Sequence, residues 1–84
     1  MQMKTFVVYS DIPAGKVDAS AYVLAFPKML REAKVENVKY KTAYCCTLDG
    51  KIIGEFEGPD KETVRSTLTK VGIPFTAVME ATKV

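Results

Sequence analysis

Residues 40–84 read YKTAYCCTLDGKIIGEFEGPDKETVRSTLTKVGIPFTAVMEATKV, and three punctuation marks stand in this stretch in an order that decides the fold. Asp49-Gly50 suits a tight hairpin turn with positive φ values. Gly58-Pro59-Asp60 marks a helix start, because an aspartate there accepts hydrogen bonds from free N–H groups of the first turn, and Glu62 adds favourable charge near the helix dipole. Gly72-Ile73-Pro74 marks a helix stop: glycine fits the left-handed position, Ile73 packs back and proline forbids continuation. The marks separate predicted strands over Asn37–Leu48 and Lys51–Glu57, a helix with Val64, Leu68 and Val71 facing inward and Thr67 beside them, and a last strand over Ala77–Lys83.

Working outward, the first half supplies the same kind of elements. Lys4–Ser10 (KTFVVYS) is rich in β-branched and aromatic residues and is predicted as strand one. Asp11-Ile12-Pro13-Ala14-Gly15 breaks that pattern with turn formers. Asp18–Lys34 is predicted as a helix, with Asp18 at its N-cap and Tyr22, Val23, Phe26, Leu30 and Ala33 at helical spacing. Pro27 lacks a backbone donor and collides with the carbonyl of Val23, so this helix is expected to kink or split near Phe26. The order βαββαβ implies a ferredoxin-like α+β sandwich: right-handed crossovers place both helices on one face of a four-stranded antiparallel sheet.

Eighty-four residues, 48% hydrophobic and 26% charged, suit one globular domain over residues 1–84. No apolar run approaches the roughly 20 residues of a membrane span. Residues Met1–Lys4 lead directly into a strand-like segment without the tripartite pattern of a signal peptide, so a cytoplasmic protein is expected. The net charge is only +2, the lysines are dispersed, and Arg31 and Arg65 are the sole arginines. Clustered cations able to neutralise several phosphates are missing, which argues against nucleic acid as a partner.

Helices on one face leave the other bare. Strand one sets Phe6 and Val8 against Val7 and Tyr9, and strand four alternates Val78 with Met79. Regular alternation in strand two puts Val38, Tyr40, Thr42, Tyr44, Cys46 and Leu48 on one face and Lys39, Lys41, Ala43, Cys45 and Thr47 on the other. Both faces are at least half apolar, and an uncovered apolar patch normally marks an interface or ligand site. Self-association through that face or an edge strand is expected, giving a homodimer.

DIPAGK after the first strand, Tyr44 with Cys45-Cys46 before LDGK, then EGPDKETVR and VGIP, together resemble a family of small nickel-responsive proteins, over nearly the whole chain. The resemblance implies a ferredoxin-like, usually dimeric fold, with nickel bound by histidines in some members. The matching histidine positions fall on Thr42 and Thr67, and this chain contains no histidine, so the resemblance carries no metal site across.

Without histidine, Ser-His-Asp triads, Cys-His dyads and imidazole general bases cannot be built within one chain. The glycines at 15, 50, 54, 58 and 72 form neither GxGxxG nor a P-loop, and no cofactor is implied. Cys45 and Cys46, as neighbours on a strand, point to opposite faces and cannot readily share a disulfide or a metal ion; small buried hydrophobes are the plainer reading. Glu55 and Glu57 share a face and read as a solvated strand surface, paired across the hairpin with Lys39 or Lys41.

Tyr9, Tyr40 and Tyr44 are expected to gather on the sheet, and Asp11, following strand one at the mouth of the loop, is placed to orient a polar ligand. Tyr9, Asp11, Tyr44 and Cys46 are therefore the candidate ligand-binding residues, with no catalytic residue assigned. The function expected is a small non-catalytic binding or regulatory module, a homodimer with a small molecule as a further partner. Two alternatives stay open: a dimeric α+β barrel enzyme acting on a small apolar substrate, and cysteine-based metal handling.

Overall fold

A computed structural model describes residues 3–11, 23–82 and 84. Strand β1 (Lys4–Asp11) leads through helix α1 (Phe26–Glu32) to β2 (Lys39–Cys46), β3 (Lys51–Gly58), helix α2 (Lys61–Val71) and β4 (Ala77–Ala81). The sheet order is β2-β3-β1-β4, with every neighbouring pair antiparallel. This is the ferredoxin-like α+β arrangement.

The core lies between sheet and helices. Phe6 and Val8 of β1, Ile52 and Phe56 of β3 and Val78 of β4 meet Phe26, Leu30, Val64 and Leu68 from the helices, all buried. Val38 and Ile73 are buried in the same cluster. Removing such side chains from water at about 25 cal/mol per Å² supplies the main favourable contribution. Among the described residues no buried side-chain nitrogen or oxygen lacks a hydrogen-bond partner.

Helix α2 obeys its local signals. Asp60 is extended and accepts a hydrogen bond from the Thr63 N–H at 2.7 Å, and Gly72, at φ 86°, ends the helix. The Gly72 N–H donates to the Leu68 and Thr69 carbonyls and the Ile73 N–H donates to Leu68, satisfying carbonyls the helix would otherwise strand.

The first helix differs from expectation. Val23 and Leu24 are helical, Ala25 is a turn, and the helix restarts at Phe26, so Pro27 stands in a first turn where its missing N–H costs no bond. It ends at Glu32 rather than Lys34, leaving Ala33 exposed instead of facing inward, and Lys34 takes a left-handed φ of 56°. Asp18 and Tyr22 lie outside the described residues.

Strand two is also shorter than predicted. A 3₁₀ turn over Thr47–Asp49 with Gly50 at φ 67° joins Cys46 to Lys51, so the connection has four residues instead of a two-residue turn, and Asp49 keeps a negative φ. A β-bulge interrupts β2 between Tyr40 and Thr42. Because the extra residue resets the alternation, Tyr40, Ala43 and Cys45 turn to the helix-covered face while Thr42, Tyr44 and Cys46 turn to the open one. The expectation that Tyr40 shares a face with Tyr44 is corrected by that one residue. Strand four stops at Ala81, short of the predicted Lys83.

Candidate functional site

The open face is built of cross-strand rows, and their residues follow from the register. One row runs Cys46–Lys51–Asp11 across β2, β3 and β1. The next runs Tyr44–Ile53–Tyr9–Ala77 and adds β4. Beyond it come Thr42–Glu55–Val7–Met79 and then Lys39–Glu57–Thr5–Ala81. The second row is apolar or aromatic throughout, and Val7 and Met79 continue it towards β4.

Among the described residues no helix covers this face. Tyr44 is 63% exposed and Met79 49%, whereas Val7, Tyr9 and Ile53 are half-buried by their neighbours on the sheet. Charge frames the band on both sides. Lys51 pairs with Asp11, and its ammonium also lies 5.4 Å from the centroid of the Tyr9 ring, a cation–π contact. The hydrogen bond to Asp11, then one to Tyr9, holds the Lys51 ammonium above its ordinary range. At the far end Lys41 meets Glu57 at 3.7 Å, the kind of ion pair expected there across the hairpin.

All four candidate residues, Tyr9, Asp11, Tyr44 and Cys46, stand on this face in its first two rows. Tyr9 and Tyr44 flank Ile53, and Asp11 and Cys46 flank Lys51. The Thr76 N–H donates to the Tyr9 carbonyl at 2.7 Å, tying the approach to β4 to the Tyr9 backbone. Sequence reasoning missed Lys51 and Ile53, the two residues around which the others assemble. Their signal was the hairpin register, since the residues following the turn lie opposite those preceding it.

Tyr40 does not join this cluster. It sits edge-on to Phe56 on the covered side, with ring centroids 5.7 Å apart, and burial, with Cys45 adding to it, pushes its phenol up. There Val23, Leu24, Tyr40, Ala43, Tyr44 and Cys45 line an open groove of about 430 Å³ along the β2 margin. Cys45 faces this groove and Cys46 the open sheet, so the two free thiols diverge as expected.

A family model described as nickel responsive protein, SCO4226-like, matches residues 6–81. The chain belongs to the SCO4226-like family. The crystal structure of SCO4226 from Streptomyces coelicolor A3(2) superposes over 95% of this chain and 98% of its own, with TM-score 0.74 at 22% identity, a likeness of fold. Comparison with curated proteins finds no match.

The SCO4226-like family name raises nickel, and the residues present do not fit it. Nickel(II) favours imidazole or thiolate donors, and the chain has no histidine. Thr42 lies on the open face beside Glu55, while Thr67 belongs to α2 on the opposite side of the sheet. Neither hydroxyl replaces an imidazole, and the two could not meet within one chain. Among the described residues no three His, Cys, Asp or Glu side chains gather as a metal site.

Proposed function

We propose that the chain is a small non-catalytic binding or regulatory module that works as a homodimer closed through the open face of the sheet. One observation carries this reading: Tyr44, Ile53, Tyr9 and Ala77 form a continuous apolar row, extended by Val7 and Met79, which the described helices α1 and α2 leave uncovered. A second copy is the occupant that suits it. The margins carry both signs of charge, with Lys39, Lys41 and Lys51 alongside Asp11, Glu55 and Glu57, so a two-fold contact can set cations over the partner's carboxylates while rows of aromatic and aliphatic side chains meet. Tyr9, Asp11, Tyr44 and Cys46 then belong to the shared surface.

Sedimentation velocity over a range of concentrations tests the assembly. The native chain should sediment as a dimer, and Ile53→Arg, at a half-exposed position, should sediment as a monomer with an unchanged circular dichroism spectrum. A strict monomer at the highest concentration would sink the reading.

The groove beside β2 favours a second component, binding of a small apolar molecule. Its walls are Val23, Leu24, Ala43 and Cys45, with the hydroxyls of Tyr40 and Tyr44 available for orientation, the mixture such sites use. Native mass spectrometry of freshly purified protein reads assembly and any retained molecule together. A bare dimer would remove the small-molecule component and leave the assembly standing.

A further inference from the structure

We infer that this member of a nickel-responsive family holds no nickel ion of its own, so its role in the cell is not that of a nickel receptor. The chemistry of its donors leads there. Imidazole is missing from the whole chain, which leaves two thiols, the carboxylates and the backbone. The thiols are adjacent in β2 and diverge, Cys45 towards the covered groove and Cys46 towards the open face opposite Lys51. One ion cannot take both, because neighbouring strand residues project to opposite sides. A nickel thiolate centre needs several such ligands with supporting hydrogen bonds around them.

Five of the carboxylates are engaged elsewhere. Asp11 pairs with Lys51, Glu57 with Lys41, Glu32 with Lys28 at 3.8 Å and Glu80 with Lys4 at 4.0 Å. Asp60 caps α2. These groups are distributed over both faces and both helices, and an isolated exposed carboxylate does not displace water from nickel effectively. Beyond the described residues the chain adds Asp18 as its one further acidic side chain and no cysteine.

The test uses the full chain without a histidine tag, stripped of metal and dialysed against micromolar nickel chloride, with a hexahistidine peptide under the same conditions to show that nickel is free to bind. Native mass spectrometry should show no retained nickel, and the melting midpoint should not move, since a ligand that binds only the folded state would raise it. One nickel per chain would overturn the inference. One nickel per two chains would overturn it equally, by showing a site shared between copies, and Cys46→Ser would then report whether a thiolate supplies it.

Discussion

Lys34 and Gly72 occupy the same station, just past the last turn of their helices. In both cases the following N–H reaches back to a carbonyl five residues earlier, Val35 to Leu30 at 3.1 Å and Ile73 to Leu68 at 2.9 Å. In both the chain bends through a left-handed φ, 56° at Lys34 and 86° at Gly72. Glycine adopts that conformation freely, whereas a lysine places its Cβ against the carbonyl at a cost of about 1 kcal/mol or more. Lys34→Gly should therefore raise the urea midpoint by an amount corresponding to up to about 1 kcal/mol, and Gly72→Ala should lower it by a similar amount, with unchanged slope in both. Equal responses of opposite sign would be absent if the two ends were not equivalent. At Asp60 the hydrogen bond from the Thr63 N–H holds the carboxyl below its ordinary range. A depressed carboxyl contributes stability above its unfolded value and loses it as pH falls through the folded one. Asp60→Asn, which keeps an acceptor but cannot titrate, should flatten the decline in urea midpoint measured from pH 5 downward to about pH 2.

At the scale of elements, β2 and the start of α2 are the informative pieces. The bulge means that removing Lys41 restores regular alternation, leaving Tyr40 opposite Phe56 and Thr42 opposite Glu55 as they are now. Deletion of Lys41 is expected to preserve the fold and cost about 1 kcal/mol or less through the lost Lys41–Glu57 pair, whereas deletion of Cys45 would turn the preceding residues to the wrong faces and unfold the strand. Thermal melts of the two deletions decide this. Gly58 is needed for a different reason: a Cβ there would stand 2.6 Å from Cγ2 of Val64. Gly58→Ala should push the first turn of α2 from the sheet and lower stability by about 1–3 kcal/mol in urea. These elements also show what was legible in advance. Asp60, Gly72 and the strand read over Lys51–Glu57, which runs one residue further to Gly58, announced themselves because caps and turns are local chemistry. The bulge did not, since Tyr40-Lys41-Thr42 alternates plausibly and only the pairing with Phe56 and Glu55 reveals the extra residue. Pro27 signalled a break, but where the helix resumed depended on Phe26 and Leu30 finding the core.

For the whole molecule, the candidate site was visible in its members and hidden in its organisation. Tyr9, Asp11, Tyr44 and Cys46 were chosen one by one for their chemistry, and it took the register of three strands to gather them around Lys51 and Ile53. If the face closes on a second copy, folding and association are linked. A tenfold rise in protein concentration then contributes about 1.4 kcal/mol per dimer, and the melting midpoint should climb by several degrees. A midpoint independent of concentration would leave the apolar row to another occupant. The same scale exposes a consequence of the two outermost strands. β2 carries its bulge beside Lys39 and Lys41, and β4 spans only Ala77–Ala81 with Glu80 near its end. Irregular, short and ionic margins are poor templates for an incoming backbone. Sheet growth from chain to chain is thereby blocked at both rims, and prolonged incubation at high concentration should yield no thioflavin-positive fibrils.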